Sequence, residues 1–308
     1  MEKKTNWWKI LGKAMAIGGT MTVPGASGGT MAMILGIYED LITAVGNLPG
    51  LLADCLFSKD LPSAGRKQNT PKMQNVTKLQ KIWKSLRFLA LFCVGALAGM
   101  ALLARGVLTL LERYPVVVSY FFLGAVAGGI PLICRRAKVK KMTWQVLFWP
   151  LTGLFIVYSL AALPEGLFAA GLSGDPAHFG LPSLSQFLFQ ILGGCILAIA
   201  LILPGISVSQ MLLMLGLYEP VMEAVSRLHL VSLIPLGLGA VLCTLLVTRL
   251  LGEAMDHHPQ PTYLLILGFV LGSLGELYPG LPTGWNLLFA PLAAAAGYQL
   301  LSCLSRKL

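Results

Sequence analysis

Apolar positions in this chain come in long blocks rather than in alternation. Blocks run over roughly 88–110, 116–134, 143–163, 231–251, 262–280 and 285–304, near the ~20 residues a helix needs to cross about 30 Å of hydrocarbon. No segment alternates with period two, which argues against a membrane barrel. The pattern predicts six transmembrane helices. Two further apolar stretches, over about 10–45 and 185–228, are interrupted at Pro24-Gly25 and Pro204-Gly205. Proline stops a helix and glycine lets the backbone turn sharply. In the first stretch the arms, residues 10–23 and about 31–45, are short for a full crossing. Each interrupted stretch therefore predicts a re-entrant hairpin.

The two hairpins are copies of one another. Read without gaps, 24–48 and 204–228 share 11 of 25 residues, including Gly36/Gly216, Tyr38/Tyr218 and Glu39/Glu219. The likeness continues along the chain. At an offset of 144, Gly95/Gly239, Arg105/Arg249, Gly124/Gly268 and Gly128/Gly272 match; at 141, Trp144/Trp285 and Pro150/Pro291 match. Self-similarity of this kind is the mark of a duplicated unit. Each unit holds one hairpin and three spans, and an odd number of crossings sets the two units in opposite orientations. The expected fold is an all-α integral membrane protein with an inverted-topology repeat. Its first repeat is 1–163, an extracytoplasmic linker is 164–184, and its second repeat is 185–308. Such repeats are characteristic of secondary transporters, whose substrates bind near the midplane at broken helices.

Charge then sets the orientation. The chain has 308 residues, 56% hydrophobic and 12% charged, against about 25% charged in soluble domains. Its net charge of +10 is concentrated at Lys3, Lys4, Lys9 and Lys13, in the 58–86 loop, and in the 135–141 turn. The positive-inside rule places these segments and both termini in the cytoplasm. The 164–184 segment, with no Lys or Arg, belongs outside. The basic excess is thus read as topogenic, and no nucleic-acid partner is expected. Within 58–86, Val76, Leu79, Ile82, Trp83 and Leu86 recur at helical spacing, which predicts a basic amphipathic helix on the membrane surface. The first segment reads as uncleaved rather than as a signal peptide. The six cysteines form no CxxC pair and suggest neither a disulfide framework nor a metal site.

The candidate chemistry lies at the hairpin tips. After Pro24-Gly25, residues Ser27, Gly28, Gly29 and Thr30 open the next helix. The first four N–H groups of a helix lack internal partners, and the dipole favours an anion there. The second copy offers Pro204, Gly205, Ser207, Ser209 and Gln210. Irregular backbone at membrane depth is tolerated only against protein or a wet cavity. A plain kink with serine caps is the alternative, weakened by the presence of two copies. Arg105 and Arg249, near the ends of equivalent spans, are candidate partners for a substrate phosphate, with snorkelling to headgroups as the alternative. Glu39 and Glu219, at the far side of each hairpin, could pair with an arginine, couple protons or cap the surface. His257-His258, beside Glu253 and Asp256, reads as a solvated turn before a metal site. The chain has no Walker loop, HExxH or GxSxG pattern, so ATP driving, zinc hydrolysis and serine hydrolysis are not indicated, and no cofactor is expected.

Taken together, Pro24-Gly25-Ala26-Ser27-Gly28-Gly29-Thr30 with Gly36-Ile37-Tyr38-Glu39, and Pro204-Gly205-Ile206-Ser207 with Gly216-Leu217-Tyr218-Glu219, resemble the bacterial polyprenyl-phosphate transporters. The resemblance spans essentially the full length. Val208 and Ser209 stand where the first copy has two glycines. The resemblance implies a flippase of the bacterial cytoplasmic membrane. It would return undecaprenyl phosphate, the lipid carrier of cell-wall precursors, from the outer to the inner leaflet. A carrier of a small soluble anion is the competing reading. A membrane-embedded lipid phosphatase is disfavoured, because no histidine lies near either Pro-Gly motif in sequence.

Overall fold

The computed structural model describes residues 7–21, 23, 27–50, 71–139, 144–162, 184–226 and 230–306. All regular structure among them is helical. The elements are α1 (Trp7–Thr20), α2 (Gly28–Ile34), α3 (Tyr38–Gly46), α4 (Pro71–Arg113), α5 (Pro115–Arg136), α6 (Trp144–Ala161), α7 (Leu184–Ile202), α8 (Val208–Met214), α9 (Tyr218–Ser226), α10 (Ile234–His257), α11 (Pro259–Leu277) and α12 (Asn286–Arg306). Among the described residues five helices are long and apolar enough to cross a membrane, namely those within α4, α5, α10, α11 and α12; a bent pair, α2 with α3, makes a sixth candidate. α6, at 18 residues, is the shortest of the six expected spans.

Two sequence expectations change. The arm expected over 31–45 is two helices, not one. α2 and α3 meet at an angle of 114°. Gly36 sits at φ 67 between them, with its N–H on the Met33 carbonyl (3.1 Å) and the Ile37 N–H on the Ala32 carbonyl (3.0 Å). This is a Schellman ending, and glycine takes its left-handed position without a Cβ penalty. The second copy repeats it. Gly216 has φ 67, and Gly216 and Leu217 bond Leu213 and Leu212 at 3.0 and 2.9 Å. The second change concerns the amphipathic surface helix. Residues 71–86 are instead the start of α4, a single 43-residue helix. At 1.5 Å per residue it is roughly 65 Å long, about twice the hydrocarbon thickness.

The helices associate in pairs. α1 packs on α4 and α7 on α10; α5 packs on α12 and α11 on α6. Small residues bring their backbones together, as is usual between membrane helices. A Cβ on Gly18 would overlap the Ala96 carbonyl and one on Gly99 the Met15 carbonyl; Gly194 and Gly239 stand likewise against Leu236 and Ile191. In the other pairs Gly124 abuts Ala294 and Gly268 abuts Pro150. The buried core gathers at α2, α3, α5 and α11, around Ile34, Val126, Ile133, Ile266 and Val270. Large apolar side chains such as Leu102, Phe155, Leu242 and Leu287 face outward. An apolar exterior on this scale fits a lipid environment.

Candidate functional site

The two broken helices meet inside the bundle. Ser27, with φ −70 and ψ 131, is the N-cap of α2, and Ser207, with φ −82 and ψ 121, is the N-cap of α8. Ser207 accepts a hydrogen bond from the Gln210 N–H at 3.4 Å and lies 3.1 Å from the Ser209 hydroxyl. Ser27 makes no side-chain cap bond. A Cβ on Gly29 would lie 3.3 Å from Pro204 Cα and 3.4 Å from the Ile202 carbonyl oxygen, so the first tip rests on the second. A Cβ on Gly28 would touch the Met21 side chain. The Tyr38 hydroxyl ties the tips further, donating to the Ile202 carbonyl at 2.8 Å. Beside this contact Thr30 is 1% exposed and its hydroxyl has no hydrogen-bond partner among the described residues. An unsatisfied buried hydroxyl is expensive. Gly205 has φ 87 and stands against the Phe269 carbonyl of α11, leaving no room for a Cβ. Pro24 and Gly25 lie outside the described residues.

The charged residues are distributed differently from the sequence expectation. Arg249 pairs with Glu253 on its own helix at 3.2 Å, with its side chain 71% exposed. Its backbone packs against Gly46 at the end of α3, not against a tip. Arg105 is exposed on α4. Neither guanidinium is brought to Ser27–Thr30 or Ser207–Gln210 by any described contact. Glu39 is the acid with a built environment. Its carboxylate pairs with Arg136 at the end of α5 and accepts a hydrogen bond from the Tyr263 hydroxyl of α11. Glu219 is exposed at the start of α9 and has no such cluster among the described residues.

Glu39, Arg136 and Tyr263 line a cavity of about 240 Å³, together with Thr43, Lys138 and Asp256. A smaller cavity joins Glu39 and Arg136 to Gly36 and Tyr38. The ion pair thus lies between the larger cavity and the α2–α3 bend, and Tyr38 continues the polar line to the second tip. On the α8 side, Glu276 shares a small cavity with Ser207 and Gln210. No group of three or more His, Cys, Asp or Glu side chains suited to a metal occurs among the described residues. His257 Nδ1 lies 3.0 Å from the Glu253 carbonyl oxygen.

The model of the undecaprenyl phosphate translocase-like family matches residues 17–286. The chain belongs to that family. The match takes in both Pro-Gly motifs, both glycine bends and the whole Glu39 cluster. Two curated relatives extend it. A polyprenyl-phosphate transporter of Vibrio cholerae is 27% identical over 278 residues, covering 90% of this chain and 79% of the relative. A polyprenyl-phosphate transporter of Staphylococcus aureus is 29% identical over 293 residues, covering 93% and 91%. No solved structure matches significantly. Membership and the apolar helices together make this a multi-pass membrane protein.

Sequence reasoning missed Arg136, Lys138, Tyr263 and Glu276 in this family member. Arg136 and Lys138 were hidden in a basic turn that serves topology. Tyr263 and Glu276 stand near the two ends of an apolar helix, and the acid was the stronger signal, since charge inside a span defaults to function.

Proposed function

We propose that this chain carries polyprenyl phosphate across the bacterial cytoplasmic membrane, from the outer to the inner leaflet, so that the lipid carrier is reused in envelope synthesis. In this reading residues 1–163 and 185–308 are inverted halves, each a re-entrant hairpin plus three transmembrane helices, joined outside by 164–184. Both termini are cytoplasmic. The matched helix pairings and the matched bends at Gly36 and Gly216 support the duplication.

The observation that carries the proposal is the meeting of the two tips at Gly29 and Pro204, with the unpartnered Thr30 hydroxyl beside them. A phosphate crossing hydrocarbon needs donors that are already in place, because desolvated charge without partners is prohibitive. Ser27, Gly28, Gly29 and Thr30, with Ser207, Ser209 and Gln210, supply hydroxyls and helix-start amides. Pro204 and Gly205 shape the second turn, and Pro24 and Gly25 are their counterparts in the sequence. Arg105 and Arg249 would meet the headgroup only as the helices move. The substrate class rests on the names of the two relatives.

The test is uptake of headgroup-labelled polyprenyl phosphate into proteoliposomes. Ser27→Ala and Thr30→Val should cut the rate severely. Unchanged rates in both would remove the tips as the site. In cells, depletion should raise carrier phosphate exposed at the outer surface, and a fall would reverse the proposed direction.

A further inference from the structure

The cavity beside Glu39 has the makings of a second binding site. Its volume is about 240 Å³, room for roughly eight waters at ~30 Å³ each and smaller than the ~300–1,000 Å³ of pockets that enclose drug-sized ligands. It can take a tetrahedral anion with part of its hydration, but not an isoprenoid tail. Its charged lining is balanced, with Arg136 and Lys138 against Glu39 and Asp256. An incoming anion therefore gains no net attraction unless one of the carboxylates gives way.

Glu39 is placed to do so. The guanidinium fork of arginine matches carboxylate and phosphate alike. A phosphate monoester carries about −1.5 to −2 at neutral pH, more than the carboxylate it would displace. When Arg136 turns away, Glu39 keeps the Tyr263 hydroxyl and stays in the first turn of α3, where the helix dipole favours negative charge. The exchange leaves no charge stranded.

The backbone adds a separate observation. Lys138, just past the end of α5, has φ 48 and is the one non-glycine with positive φ among the described residues. Glycine is the usual occupant of such a helix ending. A lysine is strained there, by roughly 1–2 kcal/mol, yet it puts a second cation on the cavity wall.

We propose that the cavity between α3, α5, α10 and α11 is a phosphate-monoester site, in which Arg136 and Lys138 hold the anion and Glu39 takes its place on Arg136 when the site is empty. On the transport reading, on which this rests for its ligand, the anion is the lipid headgroup at the cytoplasmic end of its path.

The test uses the full-length protein in detergent and two probes, inorganic phosphate and geranyl phosphate. Arg136→Gln should weaken both by roughly tenfold or more, the scale of a lost charge-assisted hydrogen bond, and Glu39→Gln should tighten both several-fold. The double variant should bind as weakly as Arg136→Gln alone. Should Arg136→Gln fail to fold, Glu39→Gln decides. Tighter binding upholds the exchange, and unchanged or weaker binding overturns it. Affinities within twofold of wild type in all variants also overturn it. Proteoliposome uptake separates the two claims. Lipid transport with unaltered binding in Arg136→Gln sinks the cavity and spares the transport reading. Arg136-dependent binding of inorganic phosphate without lipid uptake sinks the transport reading and leaves a free-phosphate site.

Discussion

Gly205 is the position where the packing of the α7–α8 turn on α11 can be tested most severely. A methyl group added there meets two obstacles. The backbone has φ 87, a conformation that costs an L-residue about 1–2 kcal/mol. The new Cβ would also overlap the Phe269 carbonyl and come within 3.0 Å of Val270 N, so the second tip would have to lift off α11. Overpacking of this kind costs about 1–3 kcal/mol. Gly205→Ala should therefore destabilise by about 2–5 kcal/mol, the sum of the two effects. Two other glycines calibrate the result. Gly29→Ala meets Pro204 Cα at 3.3 Å, a contact that a small shift relieves, so its stability cost should stay below about 1 kcal/mol while the tips are pushed apart. Gly237→Ala, on α10 with nothing within 4 Å of the new Cβ, should be neutral or gain up to about 1 kcal/mol of helix propensity. Thermal unfolding of the purified variants gives the order, and proteoliposome uptake gives the functional split. Gly29→Ala should lose transport out of proportion to stability. A Gly205→Ala protein that melts with Gly237→Ala would refute the packing of the second tip on α11.

Four further expectations follow from the same geometry. Tyr38→Phe removes the hydroxyl bonded to the Ile202 carbonyl and should cost about 0.5–1.5 kcal/mol in unfolding free energy, with slower uptake if the tips depend on that tie. Ser207→Ala loses a cap and should cost about 0.5–2 kcal/mol, whereas Ser27→Ala, with no cap bond to lose, should melt like wild type while transport falls. Lys138→Gly should raise the melting temperature, by relief of about 1–2 kcal/mol of strain, and weaken phosphate binding at the same time. Arg249→Ala breaks an exposed pair with Glu253 and should cost no more than about 1 kcal/mol; a large loss of stability would mean the arginine is packed in a way the pairing does not show.

The break between α7 and α8 was legible because proline and glycine act locally. Pro204-Gly205 ends α7 wherever it is placed, and the apolar arms to either side give the rest. The bend at Gly36 was equally local and equally visible, since Gly36 and Gly216 match in the repeat. It is hidden because the residues around it, from Met31 to Ile37, are apolar apart from the glycine itself and read as one arm. Only the capping logic of a glycine just past a helix end would have divided it. The 71–86 segment shows the opposite error. Its helical periodicity was correct, but its lysines suggested a separate surface piece. A helix extending beyond the bilayer into water meets no penalty for its charges, so a change in polarity along the chain need not mark an end.

Charge pairing was the least legible part, for a reason that bears on function. A repeat equates positions, and the equation invites the same role for Glu39 and Glu219, or for Arg105 and Arg249. The pairing partners of Glu39 have no such copies. At the offset of 144 that aligns α5 with α11, Arg136 corresponds to Gly280 and Tyr263 to Ser119. The bends at Gly36 and Gly216 match, while the Arg136 and Lys138 wall of the charge-balanced cavity has no copy at the equivalent positions of the sequence. A carrier that rocks between two related shapes would by symmetry treat its two sides alike. Here the symmetry is broken in the electrostatics. On the orientation proposed above, the end that holds Arg136 and Lys138 faces the cytoplasm, and Gly280 and Pro282 stand at the equivalent positions of the other half. A difference in headgroup affinity between the ends cannot drive net transport, since any gradient must supply that energy. On the proposal above it would set where the phosphate dwells, and it would make the exchange between Glu39 and the phosphate on Arg136 the step at which release is controlled.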